Sequence, residues 1–387
     1  MIEVLAVPRA STRTAWSRAY AIARDSARPL PGRVVPVTGA VGLVLAEQVR
    51  CARPVPAFDN AAMDGFAVAG DGPWTITGRV LAGTADAGTL APGHAVEIGT
   101  GAVVPVGADA VLPYEDCVVS GDTVTGSVGP RRHIRRAGDS LAVGAPVVPA
   151  GRTVTATVAA AVVQAGVDRV AVHQPPAVSL LVTGDEVISD GVPGPGQVRD
   201  TFTGLVTAVT GRAGGIMAGR CRLPDDRDRL QRAVDRAGGD VIVVSGSSSA
   251  GAADHLHELL SAAGATWLVR GVACRPGHPQ ALAVLPDGRW VVSLPGNPYA
   301  GLVAALTLLE PLLTALSGRT AAILPMLPVT GSPKLMPGGV RIVPVTADGA
   351  LVAAGPVGLQ AAAAADWLAV LADDWTPGAP APLLRVP

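Results

Sequence analysis

Three polar loops are the first candidates for chemistry, because each follows a run of apolar residues typical of a buried strand. They are Thr183-Gly184-Asp185-Glu186, Ser245-Gly246-Ser-Ser-Ser249-Ala-Gly251 and Leu294-Pro295-Gly296-Asn297-Pro298. A Gly- and Ser-rich loop between a strand and a helix exposes backbone N–H groups and hydroxyls beside the positive end of the helix dipole. One such loop is often only a turn, but three in one segment predict a phosphate-binding site.

Acidic side chains in or near these loops indicate a metal ion. Asp185, Glu186, Asp200 and Asp254 would repel a phosphate unless a divalent cation lay between them. We therefore predict a Mg²⁺-bridged phosphate ester or nucleotide. Two alternatives stay open: Asp200 could cap a helix, and Asp254 could lie in the first turn of one. The sequence has no G-x-x-x-x-G-K-[ST] motif and no G-x-G-x-x-G run after a strand, which argues against a P-loop and a dinucleotide site.

The elements around these loops predict a mostly parallel sheet with both faces covered. Continuous apolar strands are expected at Ala177–Val182, Asp240–Val244 and Trp290–Leu294, alternating with helices at Gly204–Arg212, Asp225–Ala237, His255–Ala263 and Tyr299–Leu316. In such sheets, ligands bind beyond the carboxyl ends of the strands. The three polar loops follow strands and should therefore meet at one edge.

Other segments follow different patterns. Residues 11–27 predict an amphipathic helix, Val41–Val49 a short helix, and Val158–Ala165 another helix. Short apolar runs separated by Gly, Pro and Asp turns predict a β-rich module over Asp59–Val119. From about Ser332 the chain returns to short β-like runs, followed by an Ala-rich segment and a Pro-rich tail.

Composition excludes several classes of protein. The 387 residues are 49% hydrophobic and carry a formal net charge of −1, so a disordered chain is excluded. This charge gives no global field that would recruit nucleic acid or an anionic membrane. Gln164 and Glu310–Pro311 interrupt the most apolar stretches, and the N-terminus does not resemble a signal peptide, so we expect a cytoplasmic protein. The four widely spaced cysteines predict free thiols rather than zinc or a disulfide scaffold.

A second group of motifs lies in the β-rich module. Phe58-Asp-Asn-Ala-Ala-Met-Asp64-Gly-Phe66 is followed by the Gly-punctuated segments Gly99-Thr100-Gly-Ala102 and Gly107-Ala-Asp-Ala-Val111. By themselves these are consistent with ordinary β-turns.

Taken together, the motifs resemble those of molybdopterin molybdenumtransferases, the family of bacterial MoeA and the gephyrin E domain. Asn60-Ala-Ala-Met-Asp-Gly-Phe-Ala67 resembles the family's N-S-A-M-D-G-Y-A signature. The segment from Gly99 to Val111 is similar to its T-G-A…P-x-G-A-D-A-V motif. Further matches, in the family's order, are Thr183–Glu186, Gly196–Asp200, Pro276-Gly-x-Pro279 and Leu294–Pro298. The resemblance extends over nearly the whole chain from about residue 15.

The resemblance implies an elongated multidomain α/β plus β fold. Its expected parts are an N-terminal helical domain (1–50 with 146–175), a β-rich domain (51–145), a central parallel-sheet, MogA-like α/β domain that binds molybdopterin (176–328) and a small C-terminal β-barrel (329–387). The N-terminal helical segment is expected to pack against part of 146–175. The family also implies a homodimer, with each active site between the third domain of one subunit and the second domain of the other.

The implied reaction is the Mg²⁺-dependent insertion of molybdate into adenylylated molybdopterin, which releases AMP and molybdenum cofactor. Carried over by motif, Glu186, Asp200 and Asp254 are the Mg²⁺-site candidates, and Asp64 and Thr100 face the same cleft from the partner subunit. Pterin or phosphate would contact Thr183, Gly184, Asp185, Ser245, Gly246, Ser249 and Gly251, whereas Arg275, Pro276, His278, Pro295, Gly296, Asn297 and Pro298 would line the molybdate pocket. Transient contact with other proteins of cofactor synthesis is also implied.

Five positions depart from the family pattern and keep alternative functions open. They are Ala61 in place of Ser, Ser140 in place of Asp, Phe202 in place of Asn, Ser247 in place of Gly and His278 in place of Lys. One alternative is a non-catalytic, diverged paralogue that binds a pterin or nucleotide. Another is a transferase or hydrolase that acts on a different phosphorylated small molecule.

Overall fold

The structure is a computed structural model that describes residues 13–246, 255–352 and 358–387. The helices are α1 (Trp16–Asp25), α2 (Ala156–Gln164), α3 (Phe202–Arg212), α4 (Arg227–Arg236), α5 (His255–Ala262), α6 (Pro298–Ala304), α7 (Glu310–Leu316) and α8 (Leu359–Ala363), with a π-helical turn at Ala305–Leu309. The strands before the α/β sheet are β1 (Thr14–Ala15), β2 (Gly32–Pro36), β3 (Val49–Arg50), β4 (Asn60–Ala61), β5 (Gly65–Val68), β6 (Trp74–Val80), β7 (His94–Ile98), β8 (Ala110–Pro113), β9 (Cys117–Ser120), β10 (Thr123–Gly126), β11 (Ile134–Arg135), β12 (Pro146–Val148) and β13 (Arg169–His173). The remaining strands are β14 (Ala177–Thr183), β15 (Val187–Ile188), β16 (Val198–Arg199), β17 (Ile216–Leu223), β18 (Val241–Ser245), β19 (Thr266–Arg270), β20 (Val272–Arg275), β21 (Ala281–Val284), β22 (Trp290–Leu294), β23 (Met326–Pro328), β24 (Val340–Val345), β25 (Trp367–Ala372) and β26 (Pro380–Arg385).

The β-rich module predicted from the turn-punctuated sequence is confirmed as a sheet in the order β8-β5-β7-β6-β10-β9. Alternating side chains fill two apolar clusters, one around Ile98 and Val111 and the other around Trp74 and Leu112. Gly65 lies at φ +156°, and a Cβ at this position would lie 2.0 Å from the carbonyl oxygen of Leu112. This close approach of β5 to β8 therefore requires glycine.

Residues 32–50 pack with residues 146–173 through the pairs β2–β13 and β3–β12. The predicted helix over Val41–Val49 is wrong. Val44 and Leu45 instead form antiparallel bridges to Thr153 and Val172, and both side chains are buried. Short apolar runs fit a strand as well as a helix, so tertiary pairing decides between them.

The predicted α/β domain is confirmed around a sheet in the order β17-β14-β18-β22-β21-β19. The first four strands are parallel to one another. Strand β21 is antiparallel to β22, and β19 is antiparallel to β21. Helices α3, α6 and α7 pack on one face, and α4 and α5 on the other. Both faces are covered, which explains why β14, β18 and β22 are continuously apolar.

The helical stretch from Pro298 to Leu316 is the centre of the larger apolar cluster. Its length and mean hydropathy of 1.7 would suffice to cross a membrane, but 83% of its apolar window is buried inside the protein, as in a core helix. Pro311 has no backbone N–H to donate to the preceding turn of the helix. The π-helical turn ends at Leu309, two residues before this proline.

The C-terminal residues form a β domain, as predicted, in a sheet of order β1-β20-β24-β25-β26-β23. The Pro-rich tail is part of this domain, because β26 pairs with both β25 and β23. Pro380 and Pro382 pair only with β23, so the side of each that faces β25 needs no backbone donor. Strands β1 and β20 come from distant parts of the chain and join this sheet to the α/β domain.

Helix α1 does not pack where the resemblance placed it. Trp16, Ala19 and Ala23 are buried against the helical stretch of the α/β domain, and the Trp16 indole Nε1 donates to Thr307 Oγ1 at 3.0 Å. The apolar face of α1 fits this larger surface better than the short paired segments at 146–175. The boundaries expected between the four domains stay predictions.

We predict that Trp16→Ala lowers the free energy of unfolding by about 3–5 kcal/mol, because it empties a buried indole site and removes the hydrogen bond to Thr307. Urea denaturation followed by circular dichroism measures this change. Arg18→Ala, on the exposed face of the same helix, should change stability by less than about 0.5 kcal/mol. A loss below about 1 kcal/mol for Trp16→Ala would contradict the anchoring role.

Candidate active site

The loops after β14, β18 and β22 meet at the carboxyl edge of the sheet. Thr183 Oγ1 donates to the carbonyl oxygen of Ser245 at 2.7 Å, and the Gly246 N–H donates to the carbonyl oxygen of Leu294 at 3.2 Å. A Cβ on Gly296 would lie 3.4 Å from the Cα of Gly246. The structure therefore brings together members of all three predicted loops, as parallel pairing requires.

Two glycines permit close contacts in this region, one between two loops and one within the first loop. Gly246 has φ +89°, and a Cβ there would lie 2.6 Å from the Thr183 carbonyl oxygen. Gly184 has φ +135°, and a Cβ there would lie 2.6 Å from a carboxylate oxygen of Glu186. A larger residue at Gly246 would force the first two loops apart, whereas one at Gly184 would be strained by its positive φ within its own loop.

Two buried serine hydroxyls lie at the ends of the strands without a hydrogen-bond partner among the described residues. They are the Oγ atoms of Ser245 and Ser293, each on a side chain that is 1% exposed. Sequence reasoning missed Ser293, which lies two residues before Pro295 of the third loop. An unpartnered buried hydroxyl costs free energy, so a polar ligand atom that reached either hydroxyl would be stabilised.

An acidic group lies at the outer end of this edge. Asp185 and Glu186 follow β14, and Asp225 follows the neighbouring strand β17; the Asp225 N–H donates to Asp185 Oδ1 at 3.3 Å. Partial burial, followed by the charges of Glu186 and Asp185, raises the pKa of Asp225 above its ordinary value. The sequence alone did not indicate Asp225 as a site residue. Most side chains of β17 are exposed, so the segment lacks the apolar pattern of a strand, and Asp225 was not expected at the end of one.

Asp200 caps helix α3, which was the alternative considered from the sequence. Its Oδ1 accepts from the N–H groups of Phe202 at 2.8 Å and Thr203 at 3.1 Å, and its Oδ2 accepts from Thr203 Oγ1. The short ribbon of β15 and β16 brings Asp200 back toward the loop that contains Glu186. Both carboxylate oxygens are thus already engaged.

Asp254, Ser249, Gly251 and the substituted Ser247 lie outside the described residues. Within residues 13–246, 255–352 and 358–387, no group of three His, Cys, Asp or Glu side chains is arranged to hold a metal ion. The predicted set of Glu186, Asp200 and Asp254 therefore stays a prediction.

A second turn docks beside the third loop. Gly277 has φ +97°, and a Cβ there would lie 3.2 Å from the carbonyl oxygen of Ala300 on α6. The fully buried Gln280 holds the turn, because its Nε2 donates to the Gly277 carbonyl oxygen at 2.9 Å. The turn carries Arg275, Pro276 and His278 next to the start of α6, where Asn297 Oδ1 caps the helix by accepting from the Ala300 N–H at 3.0 Å. Pro298 is the first residue of that helix.

This turn is cationic. Arg275 lies opposite Arg341 on the neighbouring strand β24. Partial burial, followed by the charges of Arg13 and Arg275, lowers the pKa of His278. The imidazole is therefore neutral at pH 7, and the arginines supply the positive charge.

Asp64 and Thr100 form a separate polar group in the β-rich domain. Asp64 Oδ1 accepts from the Thr100 N–H at 2.6 Å and from Thr100 Oγ1 at 2.9 Å, and these bonds hold the pKa of Asp64 below its ordinary value. Nearby, the Tyr114 hydroxyl donates to Glu97 Oε1 at 2.6 Å, which raises the pKa of Tyr114 to about 12. Within the described part of the chain, no hydrogen bond or ion pair joins this group to the α/β loops.

The structure explains two of the departures from the family pattern. Ala61 is fully buried in the β-rich core, with no exposed surface for a hydroxyl. Phe202 is buried against α6, where a Cβ on Gly301 would lie 2.2 Å from its ring. Ser140 is exposed, and the neighbouring Asp139 accepts from the Arg136 N–H at 2.7 Å.

Comparisons with known proteins agree with this geometry. Residues 14–166 match the family model "MoeA N-terminal region (domain I and II)", and residues 179–315 match "Probable molybdopterin binding domain". Molybdopterin molybdenumtransferase 2 of Mycobacterium tuberculosis is 33% identical over 297 residues, covering 72% of this chain and 73% of the relative. Molybdopterin molybdenumtransferase of Haemophilus influenzae is 31% identical over 291 residues, covering 72% of each chain.

Two solved structures of the molybdopterin biosynthesis moeA protein from Pyrococcus horikoshii share the fold. Their TM-scores are 0.81 and 0.71 at 23% and 21% identity, and the matches cover 97% of this chain and 100% of each solved chain. The fold and the strand-end site thus define a MoeA-like multidomain protein with a central α/β domain. The chain belongs to the molybdopterin molybdenumtransferase family.

We predict that Asp225→Asn stabilises the protein at pH 7 when divalent cations are removed by a chelator. Because the folded pKa is raised, the charged carboxylate opposes folding at neutral pH, and its removal should add less than about 1 kcal/mol at this largely exposed position. The gain should vanish as the pH falls to the ordinary aspartate value of 3.8 and the wild-type carboxyl takes up its proton. Thermal unfolding against pH measures this. A loss of stability at pH 7 would show that the carboxylate makes a favourable contact.

Thr100→Val should raise the pKa of Asp64 toward its ordinary value, because the hydroxyl donor is lost while the backbone donor remains. A carboxyl ¹³C NMR titration measures the change directly. Thr100→Ser keeps the donor and should leave the pKa as in the wild type. An unchanged pKa in the valine variant would show that the hydroxyl does not stabilise the carboxylate.

Proposed function

We propose that this protein inserts molybdate into adenylylated molybdopterin, releasing AMP and forming molybdenum cofactor. The observation that carries this proposal is the meeting of three strand-end loops between an acidic group and a cationic turn. This combination suits a ligand that carries a phosphate beside an oxyanion: the loops and a metal on the acidic group would bind the phosphate, and the cationic turn would bind the oxyanion. Membership of the family supports the assignment of the ligand as a pterin.

The loops supply the cradle for the pterin and its phosphates. Thr183, Ser245 and Gly246 present hydroxyl and backbone groups at one edge, and the unpartnered Ser245 Oγ is available to a phosphate oxygen. Ser249 and Gly251 extend the same loop and are assigned to the cradle by motif. Gly184 and Asp185 form its outer wall.

The acidic group is our candidate for the Mg²⁺ site, because a cation would offset the partial burial and the charges of Glu186 and Asp185, which together raise the pKa of Asp225. Glu186 and Asp225 would hold the metal together with Asp254, which is assigned by motif. Asp200, whose oxygens cap α3, fits a positioning role better than a ligand role. When bound, Mg²⁺ neutralises charge on the pyrophosphate that is cleaved.

The cationic turn is assigned to molybdate, which is a substrate of the reaction. The Arg275 guanidinium can donate two parallel hydrogen bonds to a tetrahedral oxyanion. His278 is neutral and donates a hydrogen bond without adding charge. Pro276, Pro295 and Pro298 fix the backbone around the pocket, and Asn297 holds the start of α6.

Asp64 and Thr100 are assigned to the same cleft from a second subunit. They lie on another domain, and their carboxylate is kept ionised by two hydrogen bonds at an exposed position. The homodimer with a composite site is proposed from the family resemblance, and the exposed position of Asp64 leaves it accessible to a second subunit. We also propose a cytoplasmic location and transient contact with other proteins of cofactor synthesis.

A second function, binding of a pterin or nucleotide without turnover, is favoured by one observation. His278 occupies the position of a family lysine, and its lowered pKa leaves the imidazole without charge at pH 7. One cation fewer in the pocket weakens its hold on a doubly charged oxyanion.

The decisive experiment uses purified protein, adenylylated molybdopterin, Mg²⁺ and molybdate, and follows AMP release and cofactor formation. Glu186→Gln should slow AMP release by at least about 100-fold, because it removes a charged group from the acidic cluster. Glu258→Gln, on the exposed face of α5, is the matched control and should release AMP at the wild-type rate.

Each outcome separates the two functions. Molybdate-dependent AMP release with active cofactor formed would support the transferase. Tight substrate binding without release would favour the non-catalytic paralogue. Unchanged release by Glu186→Gln would overturn the assignment of the acidic group.

A further inference from the structure

The outer edge of the α/β sheet is open in the described part of the chain. Strand β17 pairs with β14 on one side and with no other described strand, and six of its eight residues are exposed. An unpaired edge presents backbone N–H and C=O groups that can form hydrogen bonds with another extended chain.

A cavity of about 620 Å³ lies between β17 and helix α4. We call it the arginine groove, because Arg229, Arg232 and Arg236 of α4 line it. Arg220 and Arg222 of β17 also border the cavity, but they pair with Leu180 and Val182 of β14, which belong to the apolar cluster on the other face of the sheet. Arg222 donates to the Val187 carbonyl oxygen. The other four guanidinium groups form no ion pair with any residue that the structure describes.

The charges of α4 are arranged in a row rather than around a point. Arg229, Arg232 and Arg236 recur at intervals of three and four residues, so they share one face of the helix over roughly 10 Å. That length matches about three residues of an extended chain. A compact anion would reach only part of the row, whereas a linear anion would reach all of it.

The lining favours a polypeptide over a single-stranded nucleic acid. The residues that line the arginine groove include no aromatic side chain on which a base could stack. Its floor consists of small and aliphatic residues from β14 and β17, including Ser179, Leu181 and Gly219. A strand added beside β17 would extend this floor, and its side chains on the same face would point toward α4.

We propose that the arginine groove binds an acidic, extended segment of a partner protein, which adds to β17 as a further strand. Strand addition uses the open edge, and every second side chain then points toward α4, so the partner needs acidic residues at alternate positions. The groove ends at Leu223 and Pro224, next to Asp225 of the candidate active site. The bound segment therefore ends beside the site mouth.

Charged residues on an edge strand also protect it from unwanted pairing. That role accounts for Arg220 and Arg222, which lie on β17 itself. It does not account for the row on α4, which faces the groove without an anionic partner among the described residues.

The test uses the full chain and a fluorescent heptapeptide, Asp-Val-Glu-Val-Asp-Val-Glu, followed by fluorescence anisotropy. The double variant Arg229→Glu/Arg232→Glu should weaken binding at least about tenfold. The single variant Arg229→Glu should weaken binding about threefold. Arg227→Glu makes the same change of charge on the same helix outside the groove, and it should bind as the wild type does. AMP release by the double variant should match the wild type, which separates this proposal from the proposed function.

Strand addition is tested with a second peptide of the same sequence and charge in which the backbone nitrogens of residues 3 to 6 are methylated, so that two donors are lost on whichever edge of the peptide faces β17. It should bind at least about tenfold more weakly. The exposed thiol of Cys221 on β17 should react more slowly with iodoacetamide when the first peptide is bound, whereas Cys117 in the β-rich domain should not change.

Four results would overturn the proposal. Equal binding of both peptides would exclude strand addition, and equal weakening by Arg227→Glu would exclude the groove. Stronger binding of an oligothymidylate than of the peptide would assign the groove to nucleic acid. A change in oligomeric state caused by Arg229→Glu/Arg232→Glu would assign it to a second copy of the chain.

Discussion

The parallel, in-register pairing of β14, β18 and β22 is the constraint on which the site depends. Because the three strands end at the same level, the groups that follow them must share one edge, and the hydrogen bonds from Thr183 to Ser245 and from Gly246 to Leu294 lock the loops together. Gly246, at positive φ, makes the close approach of the second loop to Thr183 possible. A shift of one residue in any strand would move its loop by about 3.3 Å and break the cradle.

Charge is distributed unevenly around that edge, and the distribution follows from topology. Asp225 joins Asp185 and Glu186 because β17 is the neighbour of β14, and partial burial, followed by the repulsion of these charges, raises the pKa of Asp225. Arg275 lies on the other side because β20 leaves the α/β domain to join the C-terminal sheet. This edge of the sheet thus has an anionic end suited to a cation and a cationic end suited to an oxyanion.

The buried helical stretch from Pro298 to Leu316 connects the site to the rest of the molecule. Its first turn carries the third loop and supports the turn at Gly277, and its π-helical turn accepts the indole of Trp16. The N-terminal helix and the C-terminal sheet are therefore attached to the same element that positions the pocket.

By itself, the sequence determined the α/β segment, the β-rich module and the identity of the strand-end loops, because continuous apolar strands and Gly-rich turns are local patterns. Tertiary structure decided the rest. Val41–Val49 forms bridges instead of a helix, α1 packs on the core helix, and Asp200 caps α3. Asp225 and Ser293 enter the site only through sheet order. Such contacts join residues distant in the chain, and their free energies depend on which surfaces meet, which no local pattern records.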